Sequence, residues 1–307
     1  MKYLFGPVRS RRLGLSLGVD LLPFKTCSMN CVYCECGPTT SHTAEIMEYF
    51  PTHDVIAELD LYLGKNPDLD VITFAGSGEP TLHSGLGDII DFIKVKYPRY
   101  RVAVLTNGSL LWLEEVRRAL LRADIISPSL DAVSPEIFGK INRPSTGLDP
   151  AKIIGGMIQL RAEFRGEIHL EVFIVQGVND LPGELDLIRE AALRIKPDRL
   201  QLNTLDRPGT DPSLEPADRD TMERIRDFMK PLPVEIIGAP VAGKRDAARG
   251  NADAILATLR RRPSTAVDLA ASLGLEAGEA EALLERMADG GTVEKRTGDR
   301  GIFYSAK

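Results

Sequence analysis

The sequence predicts an α/β protein in which a parallel sheet wrapped by helices is followed by a small separate module. Three observations carry this. From Val71 to Gly238, strand-like apolar runs alternate with helical patterns of roughly ten to fifteen residues, the signature of repeated βα units. The runs are nearly continuous in apolar residues, as expected where helices cover a sheet. After Pro240 the chain turns small and charged, then changes character.

Taken in order, LSLGVDLL (Leu15–Leu22) reads as a strand, preceded by a basic cluster of Arg9, Arg11 and Arg12, which is either solvated charge or an anion contact near the mouth of a site. His53–Leu63 has helical periodicity, with Val55, Ile56, Leu59 and Leu63 on one side. The strand VITFA ends at Ala75, and helix Leu86–Lys96, strand RVAVL, helix Leu113–Arg122 and strand DIISP follow. Helices Pro135–Lys140 and Pro150–Glu163 precede IHLEVFIV. Helix Gly183–Arg194, strand RLQLN, helix Asp218–Met229 and strand VEIIG complete this part.

Polar residues collect just beyond the carboxyl ends of these strands, where parallel α/β folds gather their sites. Ser77, Gly78 and Glu79 follow the first, Asn107 and Gly108 the second, and Ser129 and Asp131 the third; Gln176 and Asn179 follow the fourth, and Asn203, Thr204, Asp206 and Arg207 the fifth. Each set alone reads as a turn. Five in register read as a site.

All four cysteines of the 307 residues lie in KTCSMNCVYCECG: Cys27, Cys31 and Cys34 in C-x3-C-x2-C spacing, then Cys36. Iron-sulfur clusters and structural zinc both use such thiolates. Zinc would need Cys36 as a fourth ligand, without the second knuckle that usually supplies a second pair. Disulfides are disfavoured, because no signal peptide is evident and the expected compartment is the reducing cytoplasm. His42 and His53 read as surface or capping residues.

With Tyr33 as its aromatic, the cysteine motif resembles that of the radical S-adenosylmethionine (radical SAM) superfamily. The flanking GPVRSRRLGLSLGVDLLPFKTC and the later GSGEPTL, LTNG, SLDA and NRPS resemble Fe-S oxidoreductases related to wyosine-base synthases, over about residues 5 to 240. The resemblance implies a partial (β/α) barrel whose three thiolates hold a [4Fe-4S] cluster with one iron left for S-adenosylmethionine. Reduction would cleave that cofactor to a 5'-deoxyadenosyl radical, which abstracts hydrogen from a substrate.

It also implies roles. Gly76, Ser77, Gly78 and Glu79 resemble a GGEP motif holding the methionine amino group, with Ser77 in place of its second glycine. Ser129 and Asp131 would bind ribose hydroxyls, Tyr33 would sit near the adenine, and Val175 would form an apolar wall. Asn107, Asn179, Asn203 and Arg207 are candidates for the substrate side, and a ferredoxin or flavodoxin would donate the electron. Wyosine-type synthases carry a second cluster and a lysine that condenses with pyruvate. Cys36 alone cannot hold a second cubane, so the substrate stays open among an RNA base, a peptide or protein, and a small metabolite, an activase-like action on a partner protein included.

The division expected is a barrel domain over 1–240, a linker over 241–250 and a module over 251–307. In the module, helices at Ala252–Arg261, Ser264–Leu273 (capped by Ser264) and Ala277–Ala288, then a hairpin around Gly298-Asp299, resemble a winged helix. Its charges discourage DNA binding. Residues 241–307 hold eleven Lys or Arg and ten Asp or Glu, and the third helix carries Glu279, Glu281, Glu285 and Asp289 against Arg286. Arg260–Arg262 and the wing residues Lys295, Arg296 and Arg300 leave RNA or an acidic partner open, beside simple domain packing. A non-catalytic zinc-binding regulator is the competing class. The overall charge of −6 argues against general attraction to nucleic acid or anionic membrane, and no apolar run is long enough to span a bilayer.

Overall fold

The computed structural model describes residues 1–238, 252–298 and 300–307; the expected linker at 241–250 lies outside the described residues. The chain begins with a hairpin of β1 (Leu4–Ser10) and β2 (Gly14–Val19), then the short pair β3 (Thr26–Cys27) and β4 (Ser41–His42) that frames the cysteine loop. Next come α1 (Thr52–Leu63), β5 (Val71–Phe74), α2 (Leu86–Lys96), β6 (Arg101–Thr106), α3 (Glu114–Leu120), β7 (Ile125–Pro128), α4 (Pro135–Ile141), α5 (Pro150–Glu163) and β8 (Glu167–Phe173). α6 (Pro182–Ile195), β9 (Arg199–Asn203), α7 (Arg219–Phe228) and β10 (Val234–Ile236) end the sheet domain.

The strands form an eight-stranded sheet in the order β1-β2-β5-β6-β7-β8-β9-β10, antiparallel at β1 and parallel elsewhere. Helix starts follow from local chemistry. Ser134, Asp149 and Asp218 accept a backbone N–H in the first turn of α4, α5 and α7, and proline opens α4, α5 and α6.

Two features depart from the sequence reading. β1 was not anticipated, because Gly6-Pro7 interrupts it. Proline is tolerated there since β1 is the sheet's edge and its register shifts between Phe5 and Val8. Nor are the strands apolar on both faces. Leu17, Ile72, Phe74, Val102, Val104, Ile126, Leu170, Val172, Leu200 and Leu202 pack with the helices into one core. The opposite face carries Ser16, Thr73, Ser127, His169, Gln201 and Asn203, all buried. They are paired in part with one another: Ser16 Oγ lies 2.7 Å from Thr73 Oγ1, and Ser127 Oγ donates to the His169 carbonyl at 2.9 Å. With the helices packed on one face, the sheet is not doubly wound.

The C-terminal module consists of α8 (Ala252–Leu259), α9 (Ala266–Leu273), α10 (Ala277–Asp289) and an antiparallel hairpin of β11 (Val293–Gly298) and β12 (Gly301–Ala306) around its own core of Ile255, Leu259, Leu269, Leu284 and Tyr304. The cap of α9 is Thr265, one residue after the expected Ser264, in a reciprocal capping box with Asp268. The module docks on β1. Arg261 Nε donates to Asp20 at 2.8 Å and its guanidinium lies over the Phe5 ring, while Arg300 bridges Asp268 and Asp206 at 3.0 Å each. Of the hairpin cations, Lys295 is exposed and pairs with Glu285 of the same module, while Arg296, also exposed, donates to the Gly209 carbonyl at 3.4 Å. Among the described residues no helix is long and apolar enough to cross a membrane.

Candidate active site

Cys27 closes β3, and Cys31 and Cys34 lie on the loop after it, where Cys34 N–H donates to the Cys31 carbonyl at 3.1 Å. Each sulfur faces one side-chain N–H donor from a different part of the chain. Lys25 Nζ is 3.0 Å from Cys34 Sγ, Asn142 Nδ2 is 3.5 Å from Cys31 Sγ and Asn107 Nδ2 is 3.6 Å from Cys27 Sγ. Burial pushes the Cys27 thiol up to about 12 and raises Cys31 as well. The Cys36 S–H and the Lys25 ammonium hold Cys34 well below the usual thiol range. Among the described residues no three Cys, His, Asp or Glu side chains converge on a single mononuclear ion. Cys36 Sγ also lies 2.7 Å from the Arg261 carbonyl oxygen and 3.5 Å from that of Gly76.

The GSGEP turn lies against this loop. A Cβ on Gly78 would meet the Thr26 carbonyl oxygen at 2.1 Å, so only glycine lets the two segments touch. Glu79 is buried. Its Oε1 accepts from Thr81 N (3.1 Å), Thr81 Oγ1 (2.6 Å) and Thr106 Oγ1 (2.6 Å), and its Oε2 accepts from Asn107 N (2.7 Å). Burial raises its pKa against those donors. Asp131 is likewise buried and accepts from Tyr33 OH (2.5 Å), Asn142 Nδ2 (2.7 Å) and Phe173 N (2.9 Å). The Tyr33 ring stacks on Phe173 at 3.8 Å.

Comparison with known proteins decides the family. Residues 21–185 match the model of the radical SAM superfamily. This chain belongs to the radical SAM superfamily. It is 38% identical over 99% of its length to a GTPase Obg of Brachyspira hyodysenteriae, but spans only 45% of that relative. A UPF0026 protein of Methanocaldococcus jannaschii is 35% identical over 78% of this chain and 73% of its own. The fold matches a radical SAM methyltransferase from Sphaerobacter thermophilus with TM-score 0.56 and 13% identity, over 72% of this chain and 65% of that one. As a member of this superfamily the protein is an Fe-S enzyme, and the family uses a [4Fe-4S] cluster and S-adenosylmethionine. The residues fit that group, since three cysteines of one loop each face a side-chain N–H donor able to bond a cluster thiolate.

In this radical SAM protein the structure brings several of the expected residues together and redirects others. Asn107, Ser129 and Asp131 line one small cavity with Met29 and Asn142. Val175 packs with Val32, Ile141 and Phe173, beside Tyr33, as an apolar wall. Asn179 does not face open space. It is 0% exposed, its Oδ1 accepts from Val175 N at 2.8 Å, and its Nδ2 donates to the carbonyls of Asp131 (2.8 Å) and Phe173 (2.7 Å). Asn203 is buried and leans on Glu171 at 3.4 Å. Arg207 is buried and paired with Glu35 at 3.1 Å and Asp206 at 3.4 Å. Lys25 and Asn142 were not anticipated. The NRPS motif that opens with Asn142 was the available signal for one; for Lys25 there was only adjacency to the cysteines.

Proposed function

We propose that Cys27, Cys31 and Cys34 ligate the cluster, and that the enzyme abstracts hydrogen from a substrate held against the polar face of the sheet, a partial barrel. The observation that carries this is the set of three N–H donors, Lys25, Asn107 and Asn142, each aimed at a different sulfur of the motif. When bound and reduced, the cluster and S-adenosylmethionine supply a 5'-deoxyadenosyl radical.

The chain's own residues orient and exclude. Glu79 Oε2, with one donor in place, keeps a lone pair for an ammonium group such as the methionine amine. Its other oxygen is saturated, so the carboxylate cannot rotate freely. Asp131 and Ser129 offer acceptors for ribose hydroxyls, with Tyr33 and Val175 as flanking surfaces. The C-terminal module, which we read as a winged helix, packs through α8 and α9 on β1 at the edge of the sheet. The ion pairs of Arg261 with Asp20 and Arg300 with Asp206 support domain packing, and a ferredoxin or flavodoxin is the proposed electron donor.

The test is anaerobic. Reconstituted with iron and sulfide, reduced and given S-adenosylmethionine, the protein should form 5'-deoxyadenosine, and Cys31→Ala should form none. A native protein that makes none under these conditions defeats the reading.

A further inference from the structure

Between the polar face of β2, β5 and β6, the cysteine loop and the C-terminal module lies a cavity of about 230 Å³. Its wall includes five arginines, Arg11, Arg12, Arg207, Arg261 and Arg262, against one carboxylate, Glu35. The arginines come from three separate segments: the β1–β2 turn, the loop after β9, and the connection from α8 to α9.

Most of their counter-charges stand behind them. Arg12 pairs with Glu171, Arg11 with Asp206 at 3.9 Å, and Arg261 with Asp20 at 2.8 Å. Glu35, the one carboxylate in the wall, is held by Arg207. Arg262 makes no ion pair among the described residues. Nε of Arg207, a residue 5% exposed, and Nε of Arg262 are both buried with no hydrogen-bond partner. Burial and neighbouring guanidiniums push Arg12 and Arg262 down to about 10. Buried guanidinium N–H groups are normally paired, and these two have no acceptor among the described residues.

We propose that this cavity holds a phosphoryl group of the substrate. A planar carboxylate presents two oxygens in one plane, whereas a phosphoryl group spreads three oxygens tetrahedrally, and so can meet guanidiniums approaching from three segments. At about 230 Å³ the cavity falls below the roughly 300–1,000 Å³ of most ligand sites, enough for a phosphoryl group and a small remainder. Gly76 and Cys36 line the same cavity, so the rest of such a molecule lies toward the GSGEP turn and the cysteine loop. The inference rests on the proposed radical SAM site for its meaning as a substrate pocket, but not for its test.

The test is calorimetric titration of the reconstituted full chain with inorganic pyrophosphate, at fixed ionic strength and with S-adenosylmethionine present, repeated with citrate. Saturable binding of pyrophosphate, tighter than citrate, is expected. Arg262→Met should weaken it by about tenfold or more, with partial recovery in Arg262→Lys. Arg262 has no carboxylate partner to strand, and an unchanged melting temperature shows that the variant folds. No saturable binding, equal binding by Arg262→Met, preference for citrate, or displacement by S-adenosylmethionine would each overturn the proposal. The two readings fail separately: a chain that binds pyrophosphate but makes no 5'-deoxyadenosine loses the radical reading, and the reverse loses this one.

Discussion

The cysteine loop separates two regions that treat polar groups in opposite ways. On the side of Cys27, Cys31 and Cys34, the buried acids are surrounded by donors: Glu79 accepts from four and Asp131 from three. On the side of Glu35 and Cys36, buried donors lack acceptors, as at Nε of Arg207, Arg262 and Arg300. The acids of the first region are held in place by their own hydrogen bonds, and the second region leaves buried guanidinium donors unpaired among the described residues. The difference teaches that burial alone does not mark a binding group; the balance of donors and acceptors does.

That contrast can be broken or sharpened by substitution. Glu79→Gln keeps the shape but removes the charge and turns one oxygen into a donor facing Asn107 N–H or the two threonine hydroxyls. S-adenosylmethionine should bind about 10- to 100-fold more weakly, as for loss of a charged hydrogen bond, in equilibrium binding to the reconstituted protein. Unchanged affinity would place the amino group elsewhere.

Asn179→Ala removes three hydrogen bonds to backbone groups of the strand ends. It should lower stability by about 1–3 kcal/mol in denaturant melts while iron content after reconstitution stays the same. Loss of turnover with no change in stability would return Asn179 to the substrate side.

The smallest effect is electronic. Lys25→Met removes the ammonium 3.0 Å from Cys34 Sγ. A positive donor favours the reduced, more negative cluster, so its loss should lower the midpoint potential by on the order of 60 mV in spectroelectrochemical titration. A potential that does not move would mean that Lys25 only supports the loop.

What the sequence disclosed was local. The cysteine spacing, the GSGEP turn and the strand–helix alternation each occupy a short window, and the structure keeps them. What it hid was set through space. Asn142 reaches Cys31 across 111 positions, and Cys36 meets the Arg261 carbonyl across 225. Strand-end position suggested a substrate contact for Asn179, but its amide matched three backbone groups better than open solvent. Arg260–Arg262 read as a basic patch because the docking of the module, which turns Arg261 and Arg262 toward the sheet, leaves no periodic trace. The polar face stayed hidden because Ser16, Thr73 and Ser127 are small residues inside otherwise apolar runs.

The most direct measurement is iron content and the EPR signal of the reduced, anaerobically reconstituted protein, with and without S-adenosylmethionine, for the native chain, Cys36→Ala and Cys31→Ala. The account predicts about four irons per chain and a signal altered by S-adenosylmethionine in both the native chain and Cys36→Ala, with both features lost in Cys31→Ala. A native chain holding a single zinc, with Cys36→Ala losing metal as fully as Cys31→Ala, would contradict it.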